Sequence, residues 1–358
     1  MSRFHASQAA RWLRRNLFAS PWSALLTLLM VAIFALVLPP LTRWALVHAV
    51  FWGQSRQACD PNGACWAFVT ARAWFFVYGS YPPEERWRPD LVLLLFFLFA
   101  VPAFRERAGS RTLWVVLLVA LFPLLAGVLL WGGILGLSYV DTARWGGLMV
   151  NCILAFIALA GSLPMGILLA LGRRSSLPVV RGFCIAFIEL WRGVPLLTVL
   201  FMAAVMLPLF LPEGASFDRL VRAMVALTLF TSAYMAEVVR GGLQGVPGGQ
   251  TEAAYSLGLG YWRVQGLVVL PQALRTVLPA IVNTVIDLFK DTTLVAIVGI
   301  TDLLGVVNLA LRDQAWLGLA REAYVFAALV FFFLCFAVSR FSVRLERRLA
   351  VEHRRRAL

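Results

Sequence analysis

The feature that most constrains this chain of 358 residues is its succession of long apolar segments. A membrane-spanning helix needs roughly 20 predominantly apolar residues. With 61% hydrophobic and only 14% charged residues, the chain predicts an all-α membrane protein with about eight transmembrane helices. The candidate spans are 22–38, 91–104, 113–131, 148–171, 183–209, 221–239, 277–299 and 323–339, of which 91–104 is the shortest.

The basic residues lie unevenly on the two sides of these spans. The segments on one side are 1–21, 105–112, 172–182, 240–276 and 340–358. They hold 20 Lys and Arg residues against 4 acidic ones, whereas the segments on the other side hold 10 of each. Because basic residues favour the cytoplasmic side of a membrane, both termini are predicted to be cytoplasmic. The net charge of +14 is thereby explained by basic residues in the cytoplasmic segments of a protein surrounded by membrane lipid. No nucleic-acid partner is expected.

The longest segment on the opposite side, 39–90, is predicted to be a periplasmic loop with an interfacial helix at 66–78. Cys59 and Cys65 flank a polar stretch within it, and oxidised pairs persist in the periplasm, so these two cysteines can form a disulfide. The three histidines are widely separated, and no metal-binding spacing is present.

Two spans carry the same pattern, Glu-x-x-Arg-Gly, with Glu189 and Arg192 in one and Glu237 and Arg240 in the other. The i, i+3 spacing places each acid and base on one helix face, where they can pair. Ionisable residues within spans are costly and usually face a pathway or bundle interior. These four residues are therefore interpreted either as a structural pair in each helix or as parts of a gate at the cytoplasmic mouth.

Gly193 and Pro195 interrupt the fifth span. Proline removes an intrahelical hydrogen bond and kinks a helix, and transporters use broken helices beside cavities. A kink that serves only packing is an equally good interpretation.

Lys290 is the only lysine of the chain and lies roughly 20 Å along the span that starts near Val277, at 1.5 Å per residue. Lys290 with Asp287 can form a structural i, i+3 pair. Alternatively, Lys290 can bind the carboxylate of a zwitterionic substrate and Asp291 or Asp287 its ammonium group, with Thr292 nearby.

A polar, glycine-punctuated segment, 241–275, lies between two of the apolar spans. A short helix from Gln250 to Leu257 with a turn after it is expected, and the small alanine face of that helix can approach a groove on another protein closely. The segment is therefore interpreted as a docking surface. Its key positions are Glu252, Ala253, Ala254, Gly258, Leu270 and Pro271.

The spacing of these positions resembles the EAA loop of bacterial ABC importer permeases. Residues 145–345 are similar to the permeases of the polar amino-acid uptake family, on the runs Arg240–Ala254, Val269–Arg275, Leu288–Leu294 and Glu189–Leu196. The added N-terminal spans resemble the larger permease of the general L-amino-acid subfamily.

The resemblance implies an inner-membrane subunit with an N-terminal extension of about three spans (1–144), a transport domain with a five-helix core (145–345) and a basic cytoplasmic tail (346–358). It implies a homologous permease partner, two ATP-binding cassette subunits docked at the EAA loops, and a periplasmic amino-acid-binding protein. In this family Glu252 and Gly258 occupy coupling positions, and Lys290 and Asp291 match an intramembrane Lys-Asp.

No cofactor is expected on this chain itself, and it is not predicted to be an enzyme. A phosphate-binding Walker A loop requires Gly-Lys-Ser/Thr, whereas Lys290 follows Phe289 within a span, so ATP and Mg²⁺ are expected on the partner ATPase. Two other functions remain open: an ion-coupled secondary transporter that uses the buried acids, and a non-transporting sensor or scaffold.

Overall fold

The computed structural model describes residues 12–105, 108–210, 212 and 217–356. These residues form helices joined by turns, with isolated β-bridges and no β-strand within the described ranges, which confirms the all-α prediction. From Pro21 onward the α-helices are α1 Pro21–Thr42, α2 Ala67–Ala71, α3 Ala73–Tyr78, α4 Trp87–Arg105, α5 Ala108–Val116, α6 Phe122–Trp131, α7 Gly147–Arg173, α8 Pro178–Gly193, α9 Leu196–Phe201, α10 Arg219–Gln244, α11 Gly248–Ser256, α12 Tyr261–Val264, α13 Leu270–Thr276, α14 Leu278–Asp291, α15 Leu303–Ala310 and α16 Ala320–Arg356.

Several helices begin where the sequence supplies a cap. The Ser20 hydroxyl accepts from the backbone N–H of Ser23 at the start of α1, and the Asp218 carboxylate accepts from the backbone N–H of Val221 at the start of α10. Each cap satisfies a donor that the first helical turn leaves unpaired. Pro178 occupies the first turn of α8, where its missing N–H costs nothing.

Five helical stretches are long and apolar enough to cross a membrane: Pro21–Val47, Arg111–Trp131, Gly147–Arg173, Arg219–Gln244 and Ala320–Glu346. A sixth consists of α8 and the stretch Leu196–Phe210, bent by 100° at the break between them. These match six of the eight predicted spans.

The other two predicted spans differ from single long apolar helices. The segment 91–104 lies in α4, whose first turn carries Arg88 and Asp90 and so shortens the apolar stretch. For 277–299 the prediction of one continuous helix is wrong, because α14 ends at Asp291 and the chain continues as a 3-10 helix over Thr292–Val298. The apolar patch at 66–78 forms two short helices, α2 and α3, in place of one.

One compact unit comprises the chain up to Arg72 together with Leu311–Ala323. Within it, Cys59 and Cys65 form a disulfide with a Cα–Cα distance of 5.4 Å, as the sequence allowed. Arg72 pairs with Asp313, and a guanidinium nitrogen of Arg56 donates to the carbonyl oxygen of Leu317 at 2.6 Å. This unit is thus held by covalent and charged contacts around its polar loop.

The second compact unit comprises Ala73–Ala310 and Tyr324–Leu358. Its centre is the packing of α7 against α10, with Leu154, Leu227 and Val295 among its fully buried side chains. A second cluster packs the ends of α7 and α10 against α11 and α13, through Met235, Val239 and other small or aliphatic residues. All predicted transport and coupling residues lie in this unit.

Candidate transport and coupling sites

The predicted docking segment forms a helix, a turn and a second helix. The helix α11 begins at Gly248, two residues earlier than predicted, and ends at Ser256. Gly258 follows with φ +75°, and its backbone N–H donates to the carbonyl oxygen of Tyr255 at 2.9 Å. This left-handed conformation strains residues that have a Cβ, so the turn requires glycine at position 258.

The three residues Glu252, Ala253 and Ala254 do not share one environment. Glu252 and Ala253 are exposed, whereas Ala254 is 4% exposed and packs in the cluster that contains Met235 and Val239. Only one of the two alanines therefore belongs to a surface that another protein can contact. The other anchors α11 to the transport domain.

The exposed surface continues past α11 with large apolar side chains. Leu257 is 80% exposed and Trp262 is 70% exposed, although both flank a polar turn. Large exposed apolar residues beside a polar turn are compatible with the predicted interaction surface. We refer to Glu252, Ala253, Leu257 and Trp262 as the docking surface.

Leu270 and Pro271 begin α13, which connects the docking surface to the transport domain. Pro271 lies in the first turn of α13, where a proline is tolerated. A Cβ on Gly242 of α10 would lie 2.7 Å from the carbonyl oxygen of Ala273, so the glycine allows α13 to approach α10 closely. Because α14 follows α13 after one residue, the chain runs from the docking surface directly into the helix that carries Lys290.

The four residues of the two Glu-x-x-Arg-Gly patterns lie in one ionic cluster, with Arg173 as a fifth member. Glu237 accepts from Arg240 at 2.8 and 3.0 Å, which confirms that pair, and it accepts from Arg173 at 2.8 Å. Arg173 also lies 3.1 Å from Glu189. Arg192 lies 3.9 Å from Glu237, and among the described residues no ion pair joins Glu189 to Arg192, so the pairing alternative is seen in only one of the two helices.

The sequence does not indicate Arg173 as a member of this cluster. Arg173 is the last residue of α7, and it joins Glu189 of α8 to Glu237 of α10. No i, i+3 or i, i+4 spacing links residues 16 and 64 positions apart. The only available signal was its position as a basic residue two positions after the predicted span 148–171.

The predicted interruption of the fifth span is present. α8 ends at Gly193, Val194 is extended, and α9 begins after Pro195, with the two parts of the span bent by 100°. Since proline has no N–H to donate, the break falls where a helical hydrogen bond is unavailable. Arg192, immediately before the break, lies over the ring of Tyr234 at 5.8 Å from its centroid.

Lys290 and Asp287 form the structural pair that their spacing allowed, at 2.8 Å. The pair is not buried within this chain, because the Lys290 and Asp287 side chains are 56% and 65% exposed. Asp291 is half-buried, and Thr292 is fully buried with its hydroxyl bonded within the chain. Of the four predicted substrate contacts, Asp287, Lys290 and Asp291 thus remain accessible, whereas Thr292 does not share their surface.

The comparisons with known proteins decide the family. Residues 162–351 match the family described as binding-protein-dependent transport system inner membrane component. The chain belongs to this family. It is 50% identical over 344 residues to the inner membrane amino-acid ABC transporter permease protein YhdY of Escherichia coli K12, covering 96% of this chain and 94% of that protein. This transport component is therefore a multi-pass inner-membrane transporter subunit and not an enzyme.

Two further relatives agree with this assignment. The permease is 36% identical to the glutamate/glutamine/aspartate/asparagine transport system permease protein BztC of Rhodobacter capsulatus, covering 97% of this chain and 95% of that one. It is also 31% identical in sequence to a chain in the crystal structure of an amino acid ABC transporter with histidines. The TM-score is 0.50, and the match covers 56% of this chain and 92% of that chain. The family resemblance seen in the motifs is confirmed.

Proposed function

We propose that this permease is the membrane-spanning subunit of an ATP-driven importer for polar or general L-amino acids. The names of the relatives support the substrate class. The observation that carries the coupling role is the split environment of α11, in which Ala254 is buried while Glu252 and Ala253 are exposed. A partner that pushes on this anchored helix moves the transport domain with it.

The proposed assembly contains two such transport domains, this one (145–345) and that of a homologous permease subunit. Two ATP-binding cassette subunits bind ATP and Mg²⁺ and dock at the segments equivalent to 241–275. The arginine bias supports a cytoplasmic location for this segment and for both termini. On the opposite side of the membrane, a periplasmic amino-acid-binding protein delivers substrate.

Within the transport domain, Lys290, Asp287 and Asp291 are the proposed contacts along the substrate path. An amino acid presents one carboxylate and one ammonium group, and the exposed Lys290–Asp287 pair presents the complementary charges 2.8 Å apart. In a low-dielectric surrounding such contacts are strong and selective. We propose that the charged groups of the substrate replace the contacts between Lys290 and Asp287 as the two transport domains move.

The ionic cluster is the proposed gate. It ties the helix before the Gly193–Pro195 break to the ends of α7 and α10. The helix α8 can swing only when the bonds of Arg173 and Arg192 to acidic residues on other helices are exchanged. If the ionic cluster were only structural, α8 would keep the same position throughout transport.

The test is uptake by proteoliposomes that contain the complete complex and its binding protein. The probes are radiolabelled L-glutamate and L-glutamine, and internal ATP is either present or absent. The proposal expects uptake only with ATP. Uptake driven by a proton or sodium gradient without the ATPase would instead establish an ion-coupled secondary transporter.

A further inference from the structure

Three polar side chains meet in the interior of the transport domain. Asn151 of α7, Thr292 and Asp302 are each fully buried. The Asn151 side-chain amide donates to the Thr292 hydroxyl at 2.9 Å and to the Asp302 carboxylate at 3.2 Å. The Asn151 side-chain carbonyl accepts from the backbone N–H of Leu303 at 2.9 Å. Asn151 thus connects two segments of the chain that lie about 150 residues after it in sequence.

Asp302 makes this network costly to bury. It forms no salt bridge with any residue that the structure describes. Its carboxylate instead accepts from Asn151 and, at 2.9 Å, from the backbone N–H of Gly305 in α15. Burial raises the pKa of Asp302. A buried carboxylate without a cation is expensive, and its hydrogen bonds offset part of that cost.

The network lies beside the proposed substrate contacts. Thr292 follows Asp291 at the point where α14 gives way to the 3-10 helix. Its hydroxyl donates to the carbonyl oxygen of Phe289 at 2.7 Å, and the Thr293 hydroxyl donates to that of Lys290 at 2.8 Å. The backbone that carries Lys290 and Asp291 is therefore held, through Thr292, by Asn151 and Asp302.

The network is also fixed to the start of α7. The backbone N–H of Gly147 donates to the carbonyl oxygen of Thr301 at 2.9 Å, and the Thr301 hydroxyl donates to that of Trp145 at 3.1 Å. These bonds place Asp302 against the first turns of α7, where Asn151 lies. A fully bonded buried network specifies one arrangement of the segments that it joins.

We propose that Asn151 and Asp302 are positioning residues for transport, which fix the directions of Lys290 and Asp291 through Thr292. The inference rests on the proposed substrate path. Neither residue is expected to touch the transported amino acid. Their effect is to hold the end of α14 in the geometry that the charged contacts require.

The experiment exchanges the donor and the acceptor of one bond. Asp302→Asn places two amide groups against each other, and Asn151→Asp places two carboxylates against each other. The double variant restores one donor and one acceptor between positions 151 and 302. The Thr292 hydroxyl, which can donate or accept, then donates to the carboxylate introduced at position 151. Each is reconstituted as the complete complex, and ATP-driven L-glutamine uptake is divided by the amount of assembled complex. Ser162→Ala is the control, because Ser162 is equally buried in α7 but bonds only to its own helix.

We expect each single variant to lower uptake per assembled complex about tenfold, as leaving a buried polar group unpaired predicts, and the double variant to recover part of the loss. The Ser162→Ala control should stay within about twofold of the natural protein, since surrounding contacts are kept. A purely structural role would reduce the amount of complex and leave uptake per complex unchanged. That result, or a double variant as defective as the singles, would overturn the inference.

If the single variants do not assemble, Thr292→Val decides, because it keeps the side-chain shape and removes the hydroxyl. Uptake per complex equal to that of the natural protein would then contradict the positioning role, and a loss would support it. The natural complex is measured first. If it does not take up L-glutamine or L-glutamate with ATP, the proposed function itself is contradicted, whatever the variants do.

Discussion

One guanidinium nitrogen of Arg173 donates to Glu237 at 2.8 Å and lies 3.1 Å from Glu189. Three helices of the transport domain, α7, α8 and α10, are therefore joined by a single side chain. Because α8 ends at the 100° break in its span, this contact holds the helix on one side of that break. The relationship makes Arg173 the residue on which the proposed gate depends.

Replacing Arg173 by glutamine removes this connection and leaves Glu237 with Arg240 and Arg192. The Arg173 side chain is 25% exposed, so we expect a modest effect, a rise of about threefold in ATP hydrolysis without substrate as α8 moves more freely. The measurement is phosphate release by the complete complex. Arg181→Gln, at an exposed position of the same predicted side, is the control. Unaltered hydrolysis in the Arg173 variant would show that the cluster does not restrain the cycle.

Gly258→Ala isolates the conformation of the turn after α11. A Cβ at Gly258 or at Gly260 meets no atom within 4 Å, but Gly258 has φ +75° and Gly260 has φ −73°. We expect Gly258→Ala to destabilise the turn by about 1–2 kcal/mol and to weaken co-purification of the ATPase, whereas Gly260→Ala should resemble the natural protein. Equal behaviour of the two variants would mean that the turn conformation is not needed for docking.

Lys290→Ala should reduce uptake of L-glutamate and L-glutamine by about tenfold or more, because an unpaired Asp287 replaces a pair of complementary charges. Co-purification of the ATPase should be unchanged, since Lys290 lies outside the docking surface. The exchange of the two residues, Lys290→Asp with Asp287→Lys, separates the alternatives. Full uptake by the exchanged pair would indicate a structural ion pair, and loss of uptake would indicate a contact that depends on charge position.

Cys59 and Cys65 should react with a membrane-impermeant maleimide in intact cells only after treatment with a reductant. The expectation follows from the disulfide and from the predicted periplasmic location of 39–90. The control is the Cys59→Ser, Cys65→Ser variant, which should show no reductant-dependent labelling. Labelling of the natural protein without reductant would contradict the oxidised state.

The sequence predicted those elements whose cause is local. Apolar runs located the spans, Pro195 located the break, and Gly258 located the turn after α11. An exception is the end of α14 at Asp291, where the hydroxyls of Thr292 and Thr293 bond to carbonyl oxygens of its last turn. Threonines make similar bonds inside helices, so their presence in an apolar run does not predict a helix end. Contacts between distant segments, such as Arg173 with Glu237 or Asn151 with Asp302, follow from helix packing and leave no periodic pattern.

The site was predictable to a similar extent. The motif located the docking segment, but only burial shows that Ala254 anchors α11 while Glu252 and Ala253 face outward. In the same way, Thr292 adjoins the charged pair in sequence and is turned into the interior in the structure. Adjacent residues of a helix point in different directions. A linear motif therefore does not show which of its residues can contact a partner and which pack inside the protein.

In the proposed mechanism, ATP hydrolysis by a partner subunit drives conformational change of this permease through the docking surface. The most direct measurement is ATP-driven uptake of L-glutamine and L-glutamate by proteoliposomes that carry the complete complex with Glu252→Arg. Because Glu252 is exposed, the variant should fold and insert as the natural protein does. We expect uptake to be lost and the thermal stability of the permease to be retained. Uptake equal to that of the natural complex would contradict this mechanism.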